Sequence, residues 1–465
     1  MISRAFSQVL GKGYKSPLDL FVHASAVVGF GSNMPRHLHH LLRQPDPADG
    51  FPPKQHPLQN NNRGAPPTCT FESNWTLQHS FSTAKNSNDT LDYIMSFEQR
   101  FATLRSIGNC VNECELSLLL KDKTAPICYV WCDPSPWMHI TQGILMTINV
   151  NKMIKAGCKV KILMADWFAQ MDNKIGFIAG GVLSKVHPIG LYNVETWKAT
   201  GMDLDGVEFV WLSDLISRNA DEYWPLAMDI ARKSNPSAIK SWLRVYSTIN
   251  TRGHGSISPY RMRDFTAAEI FYPCLQSACI LFQKQADIWL LGQDQSGAHM
   301  LARNFCTHMA MENKPIALFS NMPCNLLEHP ERWAVDDPNW AIFMEDDEED
   351  IISKISDGFC PPESAEGNPC LDYIKYIVLP RFGKFEVVQM GDNGGSKTFV
   401  NMEEFTSDYE SGVLHPSDVK QALAKAINMM LEPVRDHFRS CAEAKRLVEE
   451  IESSLLLQDF YSGQW

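Results

Sequence analysis

Residues 125–172 read APICYVWCDPSPWMHITQGILMTINVNKMIKAGCKVKILMADWFAQMD, and the order of runs and turns in this stretch decides the fold. Pro126–Val130 is a short apolar run of strand length, closed by a turn that Pro134 and Pro136 mark. From about Ile140 to Ala156 the apolar residues recur at helical spacing, and the pattern stops at Gly157. Val160–Met164 is the next apolar run. Strand, turn, helix and strand of these lengths form a βαβ unit, so the strands run parallel with a right-handed crossover. Further strand-length runs follow at Val207–Leu212, Ile288–Leu291 and Ile316–Ser320, with helical stretches between them. The expected fold is α/β, a doubly wound parallel sheet whose ligands lie beyond the carboxyl ends of its strands.

Upstream of this unit, Phe97–Leu104 and Leu116–Leu120 have helical spacing. Pro45–Thr90 is rich in Pro, Asn and Ser and holds few aliphatic residues. Such a segment cannot bury enough surface to offset its ordering entropy, so residues 1–90 read as a disordered extension. Within it, Met1–Gln44 carries Arg4, Lys12, Lys15, Arg36 and Arg43 against the single acid Asp19. That leaves an organellar transit peptide and an unstructured extension as alternatives. Downstream, Asn235–Arg263 reads as an irregular surface insertion and Ile351–Gly367 as a bridge. Leu371–Leu379, Val419–Leu431 and Val434–Ser453 read as helices, with Pro433 expected to break the chain between the last two. Residues 91–350 are therefore expected to form the sheet domain and 351–465 a mainly helical second domain.

Bulk properties narrow the function classes. The 465 residues suit two or three domains. A hydrophobic fraction of 44% with 21% charged residues is that of a globular protein with a large core. No apolar run approaches the roughly 20 residues of a membrane span. The net charge of −12 excludes a nonspecific polycation. RNA binding through a local basic face stays open, because exposed charges are screened beyond about 8–10 Å. The 13 cysteines are odd in number and contain no Cys-x-x-Cys pair. Cys110/Cys114 and Cys128/Cys132 lack a partner pair at zinc spacing, so reduced thiols in an intracellular protein, and no metal site, are expected.

Three further segments are informative alongside the first: IFYPCLQ (Ile270–Gln276), LGQDQSGAHMLAR (Leu291–Arg303) and DPNWAIFME (Asp337–Glu345). Together, in order over Tyr93–Phe438, the four resemble the tyrosyl-tRNA synthetases of eukaryotes and archaea, class I aminoacyl-tRNA synthetases, with the plant cytosolic form most similar. The resemblance implies a Rossmann-like nucleotide-binding domain followed by a helical anticodon-binding domain. It implies activation of tyrosine by ATP, with Mg2+ as the nucleotide's counter-ion, to tyrosyl-adenylate, and transfer to tRNA-Tyr. A cytoplasmic homodimer built around the TAAEIFYP helix is implied as well.

Such an enzyme positions two anions and neutralises the leaving pyrophosphate, which calls for cations and N–H donors at a helix N-terminus. His139-Ile140-Thr141-Gln142 stands where the family has its His-Ile-Gly-His signature. By resemblance His139, Gln142 and Arg332, the surviving cation of the Lys-Met-Ser-Lys-Ser loop, are the catalytic residues, and together with Asp133, the acid of the preceding loop, they bind ATP. A helix-capping His139 in a generic βαβ unit is the alternative. The tyrosine pocket would comprise Tyr129, Tyr272, Gln276, Cys279 and Gln295, with Tyr272, Gln276 and Gln295 holding the α-amino group.

Several positions depart from the family. Trp131 replaces a Gly, Pro136 and Trp137 replace Gly and a basic residue, and Cys279 replaces the Asp that receives the substrate phenol. Val335 and Asp336 replace Lys and Ser, and Ser296-Gly297 replaces an Arg-Lys pair. A carboxylate facing a polyphosphate has the wrong sign. Two functions therefore stand side by side: a tyrosine–tRNA ligase, or a catalytically impaired pseudo-synthetase that binds tRNA or other RNA or acts as a regulator. In the second domain Gly394-Gly395 and Leu414–Asp418 match the anticodon-reading region, with His415 and Asp418 implied to contact the first anticodon base. An ordinary helix N-terminus is the alternative there. The acidic run Glu345–Asp350 reads as the solvated start of a helix.

Overall fold

The computed structural model describes residues 95–171, 183–237, 239–240, 267–311, 314–324, 326–327, 341–389 and 395–462. The extension, most of the 235–263 insertion, Arg332 with its loop, and Gly394 lie outside the described residues.

Helix α1 (Phe97–Arg105) starts at a capping box, in which Ser96 accepts from the Gln99 amide and Gln99 Oε1 accepts from the Ser96 amide at 2.9 Å. Strand β1 (Gly108–Cys110) and helix α2 (Glu113–Asp122) follow. Arg100, buried on α1, donates to four carbonyls: Ala156 at 2.8 Å, Leu120 at 3.3 Å, Lys123 at 3.2 Å and Thr124 at 2.8 Å. One guanidinium thereby fixes the chain entering β2 (Ile127–Cys132). The signature segment opens a helix as a π turn, Thr141–Leu145, that continues as α3 (Met146–Lys155). Gly157 leaves it at φ +83°, a left-handed conformation that glycine adopts without strain. Next come β3 (Lys159–Met164), a short helix Asp166–Met171, α4 (Val186–Thr200) and β4 (Val207–Trp211). After them lie α5 (Ala220–Lys233), α6 (Ala267–Phe282), β5 (Ile288–Leu291), α7 (Ser296–His308) and β6 (Ile316–Ser320).

The sheet order is β1-β6-β5-β2-β3-β4. All neighbours pair in parallel except β1, which runs antiparallel to β6 from Gly108↔Ser320 to Cys110↔Leu318. The sheet is thus mixed at one edge. Residues GNC of β1 carry no apolar alternation, so the edge strand gave no signal in the sequence.

Side chains alternate between two cores, as the period of a strand requires. Cys128, Val130, Ile162, Leu290 and Leu318 point to one face, covered by α3 and α4. Tyr129, Trp131, Leu163, Trp289 and Phe319 point to the other, covered by α5, α6 and α7.

The first core does not end with the sheet domain. It runs on into α8 (Glu348–Asp357), the helical turns Pro369–Tyr373, Ile374–Val378 and Leu379–Phe382, and a hairpin of β7 (Phe385–Val388) and β8 (Ser396–Phe399). Helices α9 (Met402–Glu410), α10 (Pro416–Ser440) and α11 (Ala442–Ser462) complete it. The boundary expected between residues 350 and 351 falls inside α8. The helical region also contains the β7–β8 hairpin, which the sequence reading did not anticipate.

Pro433 does not break the chain. Helix α10 runs through it to Ser440, and the break comes at Cys441. Pro433 lies on the exposed side, as does Met429, whose carbonyl loses its i+4 donor to the proline. Met430, Leu431 and Val434 are buried and hold the helix on line.

Candidate active site at the carboxyl end of the sheet

From β2 the sheet continues to β3 and β4 on one side and to β5 and β6 on the other. The crevice beyond β2 and β5 is therefore the topological switch point, where an open α/β sheet binds its ligands. Asp133 and His139 follow β2, and Gln295 follows β5 in the turn Gln293–Gln295.

The signature is rigidly built. His139 is buried, and its Nδ1 accepts from the Thr141 amide at 3.1 Å and lies 2.6 Å from Thr141 Oγ1. With Nδ1 accepting, the proton of the neutral ring sits on Nε2. Gln142 Oε1 accepts from the His139 amide at 3.1 Å, and the Gln142 carbonyl accepts from Trp197 Nε1 at 2.7 Å. The helix-capping reading of His139 is thus realised in geometry, and it fixes the ring's tautomer.

Residues 342–344, which follow the loop containing Arg332, pair with the signature as a short antiparallel bridge centred on His139 and Phe343. The Ile140 amide donates to Ile342 O at 2.9 Å and the Met344 amide to Met138 O at 2.8 Å. Met344 packs so closely on Gly143 that a Cβ there would lie 2.3 Å from its sulfur. Gly143 is the residue that lets the two segments meet.

The acidic run divides. Glu345 is exposed as a residue, yet its carboxyl turns inward, where Oε1 accepts from the Met138 amide at 3.1 Å and from the Tyr192 hydroxyl. Enclosure pushes that carboxyl up to about 7. Asp346 is buried against Lys354, with Oδ1 and Oδ2 at 2.6 and 2.7 Å from Nζ. Asp347 caps α8 by accepting from the Asp350 amide at 2.8 Å. Only Asp347–Asp350 form the solvated helix start expected for the whole run.

On the second face of β2 lie the residues expected to form the amino-acid pocket. Tyr129 packs on Trp289 with ring centroids 5.1 Å apart, and its hydroxyl donates to Gln283 Oε1 at 2.9 Å. Trp131 is buried; its Nε1 donates to Asp133 Oδ1 at 3.0 Å, and its ring stands edge-on to Phe168 at 4.9 Å. Phe168 in turn meets Tyr272 edge-on at 4.7 Å. The indole therefore joins an aromatic row leading to Tyr272, at the position where the resemblance has glycine.

Gln276 is buried, and its Nε2 has no hydrogen-bond partner among the described residues. Gln295 Oε1 accepts from the Gly292 amide at 3.0 Å. Cys279 is buried with its sulfur 3.6 Å from the Tyr223 hydroxyl, and burial pushes its thiol up to about 12. Tyr223, Phe168 and Gln283 contact these residues, and the sequence did not reveal them. They belong to segments read only as helix or loop, and the contacts are made across the fold.

His415 and Asp418 lie on a different element. His415 is the N-cap of α10: its Nδ1 accepts from the Ser417 amide at 3.2 Å. Asp418 is buried in the first turn, so the helix N-terminus reading holds for their geometry. Arg435 donates to the Asp346 carbonyl at 3.1 Å, and Lys420 donates to Ser356 O at 2.8 Å. Lys425, Arg439, Lys445 and Arg446 are exposed.

A doubly wound sheet with a His-Ile signature after its first parallel strand, bridged to Ile342–Met344, defines a class I synthetase scaffold. The chain belongs to the family "tRNA synthetases class I (W and Y)", which matches residues 121–432. It is 46% identical over 371 residues to tyrosine–tRNA ligase 1, cytoplasmic, of Arabidopsis thaliana, covering 80% of this chain and 92% of that protein. It is also 46% identical to tyrosine–tRNA ligase 2, cytoplasmic, of the same plant, but spans only 48% of that longer protein. Among solved structures it is similar to Leishmania major tyrosyl-tRNA synthetase in complex with tyrosinol, with a TM-score of 0.64 and 36% identity. That match covers 78% of this chain and 52% of that one, so the chain spans about half of the parasite protein. Tyrosyl-tRNA synthetase from Aeropyrum pernix is similar at a TM-score of 0.63 and 27% identity, over 77% of this chain and 99% of that one. Among the described residues no helix is long and apolar enough to cross a membrane.

Proposed function

We propose that this chain is a tyrosine–tRNA ligase of the cytoplasm, which makes tyrosyl-adenylate from tyrosine and ATP and charges tRNA-Tyr. The observation that carries the reading is the backbone bridge between Met138–Ile140 and Ile342–Met344. It joins the His-Ile signature to Ile342–Met344 beyond the switch point of the sheet, which supports an ATP site there. The 46% identity to a cytoplasmic tyrosine–tRNA ligase across 92% of its length supports the same reading.

In this proposal the substrate carboxylate attacks the α-phosphate of ATP and pyrophosphate leaves. His139 Nε2–H donates to the phosphates as charge develops, Gln142 holds the His139 backbone, and Arg332 supplies the cation on the pyrophosphate side. Asp133 orients the entrance loop through the Trp131 indole. Tyr272, Gln276 and Gln295 receive the substrate ammonium. The unpaired, buried amide of Gln276 fits this role, because turned over it offers its oxygen to a cation. Mg2+ would be supplied with ATP as its counter-ion, since the acids beside the signature are committed elsewhere, Glu345 to Tyr192, Asp346 to Lys354 and Asp347 to the α8 cap. The sheet region and the helices after α8 form the activating and anticodon-reading parts. His415 and Asp418 meet the anticodon, and a homodimer forms through α6.

The test is tyrosine-dependent ATP–pyrophosphate exchange by the full chain without tRNA. Exchange that falls by at least about a hundredfold in His139→Ala supports the assignment. A folded protein that exchanges no label with tyrosine overturns it and leaves an RNA-binding pseudo-synthetase.

A further inference from the structure

Where α10 ends, three side chains of metal-ligand type converge outside the proposed active site. Glu195 on α4 and His437 on α10 meet with Oε2 and Nε2 2.6 Å apart. Cys441 is the C-cap of α10, and its amide donates to His437 O at 2.8 Å. That bond closes a last helical turn, so positions i and i+4 put the imidazole and the thiol on one side of the helix. The carboxylate oxygen, imidazole nitrogen and thiol sulfur all lie within 4.8 Å of one another. All three residues are partly buried, with 14% and 18% of the Glu195 and His437 side chains exposed.

We propose that Glu195, His437 and Cys441 form a binding site for one Zn2+ ion, which clasps α10 to α4 at the point where α11 departs. A carboxylate, an imidazole and a thiolate are the donors zinc takes, and its bonds of about 2.0–2.3 Å set ligand atoms roughly 3.3–3.8 Å apart in a tetrahedron. Metal binding would open the Glu195–His437 pair from 2.6 Å to such a separation, within a cluster whose three donor atoms already lie within 4.8 Å of one another. The fourth position belongs to water, because the cluster is not sealed. On binding, the Cys441 thiol gives its proton to solvent and His437 offers a neutral ring. Lys198 Nζ, 3.4 Å from both Glu195 oxygens, is the cation that the metal displaces.

The site carries no signature in the sequence, because its residues are not spaced as a zinc motif. Glu195 comes from the helix layer of the sheet, and only the docking of α10 brings the other two to it. The site acts on docking: the same junction holds the Tyr192 and Phe438 rings 5.0 Å apart. A metal at Cys441 also fixes the direction in which α11 leaves.

The experiment treats the full chain with chelator, removes the chelator and titrates Co2+. One equivalent bound, with a thiolate-to-cobalt charge-transfer band that Zn2+ abolishes, is the expected result. Cys441→Ser should remove the band, and Glu195→Gln should weaken Co2+ binding at least about tenfold while keeping the hydrogen bond to His437. Glu195→Gln is the second variant because it leaves the helix end untouched. Binding below one equivalent, or a band that survives Cys441→Ser because another thiol supplies it, overturns the proposal. So does undiminished binding by folded Glu195→Gln.

Discussion

At the scale of single residues, two side chains set measurable behaviour. Cys279 stands where the proposed pocket would meet the substrate hydroxyl, and its buried thiol, pushed up to about 12, stays neutral. A neutral thiol is a weak acceptor and does little to reject phenylalanine. Discrimination between tyrosine and phenylalanine in pyrophosphate exchange is therefore expected to fall well short of the ~10⁴–10⁵ of a site built to bond a phenol. Cys279→Asp, beside the Tyr223 hydroxyl, should raise it; an unchanged ratio would remove Cys279 from the pocket. His299 is fully buried, with Nε2 3.0 Å from Pro315 O, and burial brings its ring down to about 4. The unfolded chain has the ordinary value near 6.5, so the folded state prefers the neutral ring. The stability this residue protects is complete above about 6.5 and is lost as pH falls through about 4, on the order of 3 kcal/mol at the acid end. Denaturant midpoints between pH 7 and 4 should fall less steeply in His299→Gln than in the parent chain.

At the scale of elements, α10 shows where local rules yield. A proline interior to a helix costs about 3 kcal/mol relative to alanine, and at Pro433 the packing of Val434 and Leu431 outweighs that cost. Pro433→Ala should therefore stabilise the chain, by about 1–3 kcal/mol in urea unfolding. A loss of stability would mean that the proline shapes the α10–α4 contact. Lys354→Met should do the reverse and cost about 3–5 kcal/mol, since it strands the buried Asp346 carboxylate. The parallel strands β2, β3, β5 and β6 were legible in the sequence because both their faces are buried and their apolar runs are continuous. Strand β1 was not, since a three-residue Gly-Asn-Cys edge carries no pattern. The β7–β8 hairpin escaped for a similar reason, since β8 reads Ser-Lys-Thr-Phe and buries only Phe399. Of the candidate site, the order of segments was legible, because strand ends locate it. The Trp131–Phe168–Tyr272 row, the Cys279–Tyr223 contact and the inward turn of Glu345 were not, because each depends on packing between distant segments.

At the scale of the whole molecule, one apolar core reaches from Leu104 beside the sheet to Ile451 on α11. The sheet region and the helices after it are consequently expected to unfold in a single thermal transition, seen alike by tryptophan fluorescence and by circular dichroism. Two separated transitions would show that the helical part folds on its own. The pairing of β1 with β6 has a consequence for how the chain is made. Among the described residues β1 lies at the sheet edge and pairs with β6 alone, and its first residue, Gly108, waits for Ser320. At about 5–20 residues per second, a ribosome leaves that backbone edge open for roughly ten to forty seconds. A nascent chain stalled in this window would be a ready client for chaperones, and slowed translation between β1 and β6 should lower the soluble yield more than slowing after β6.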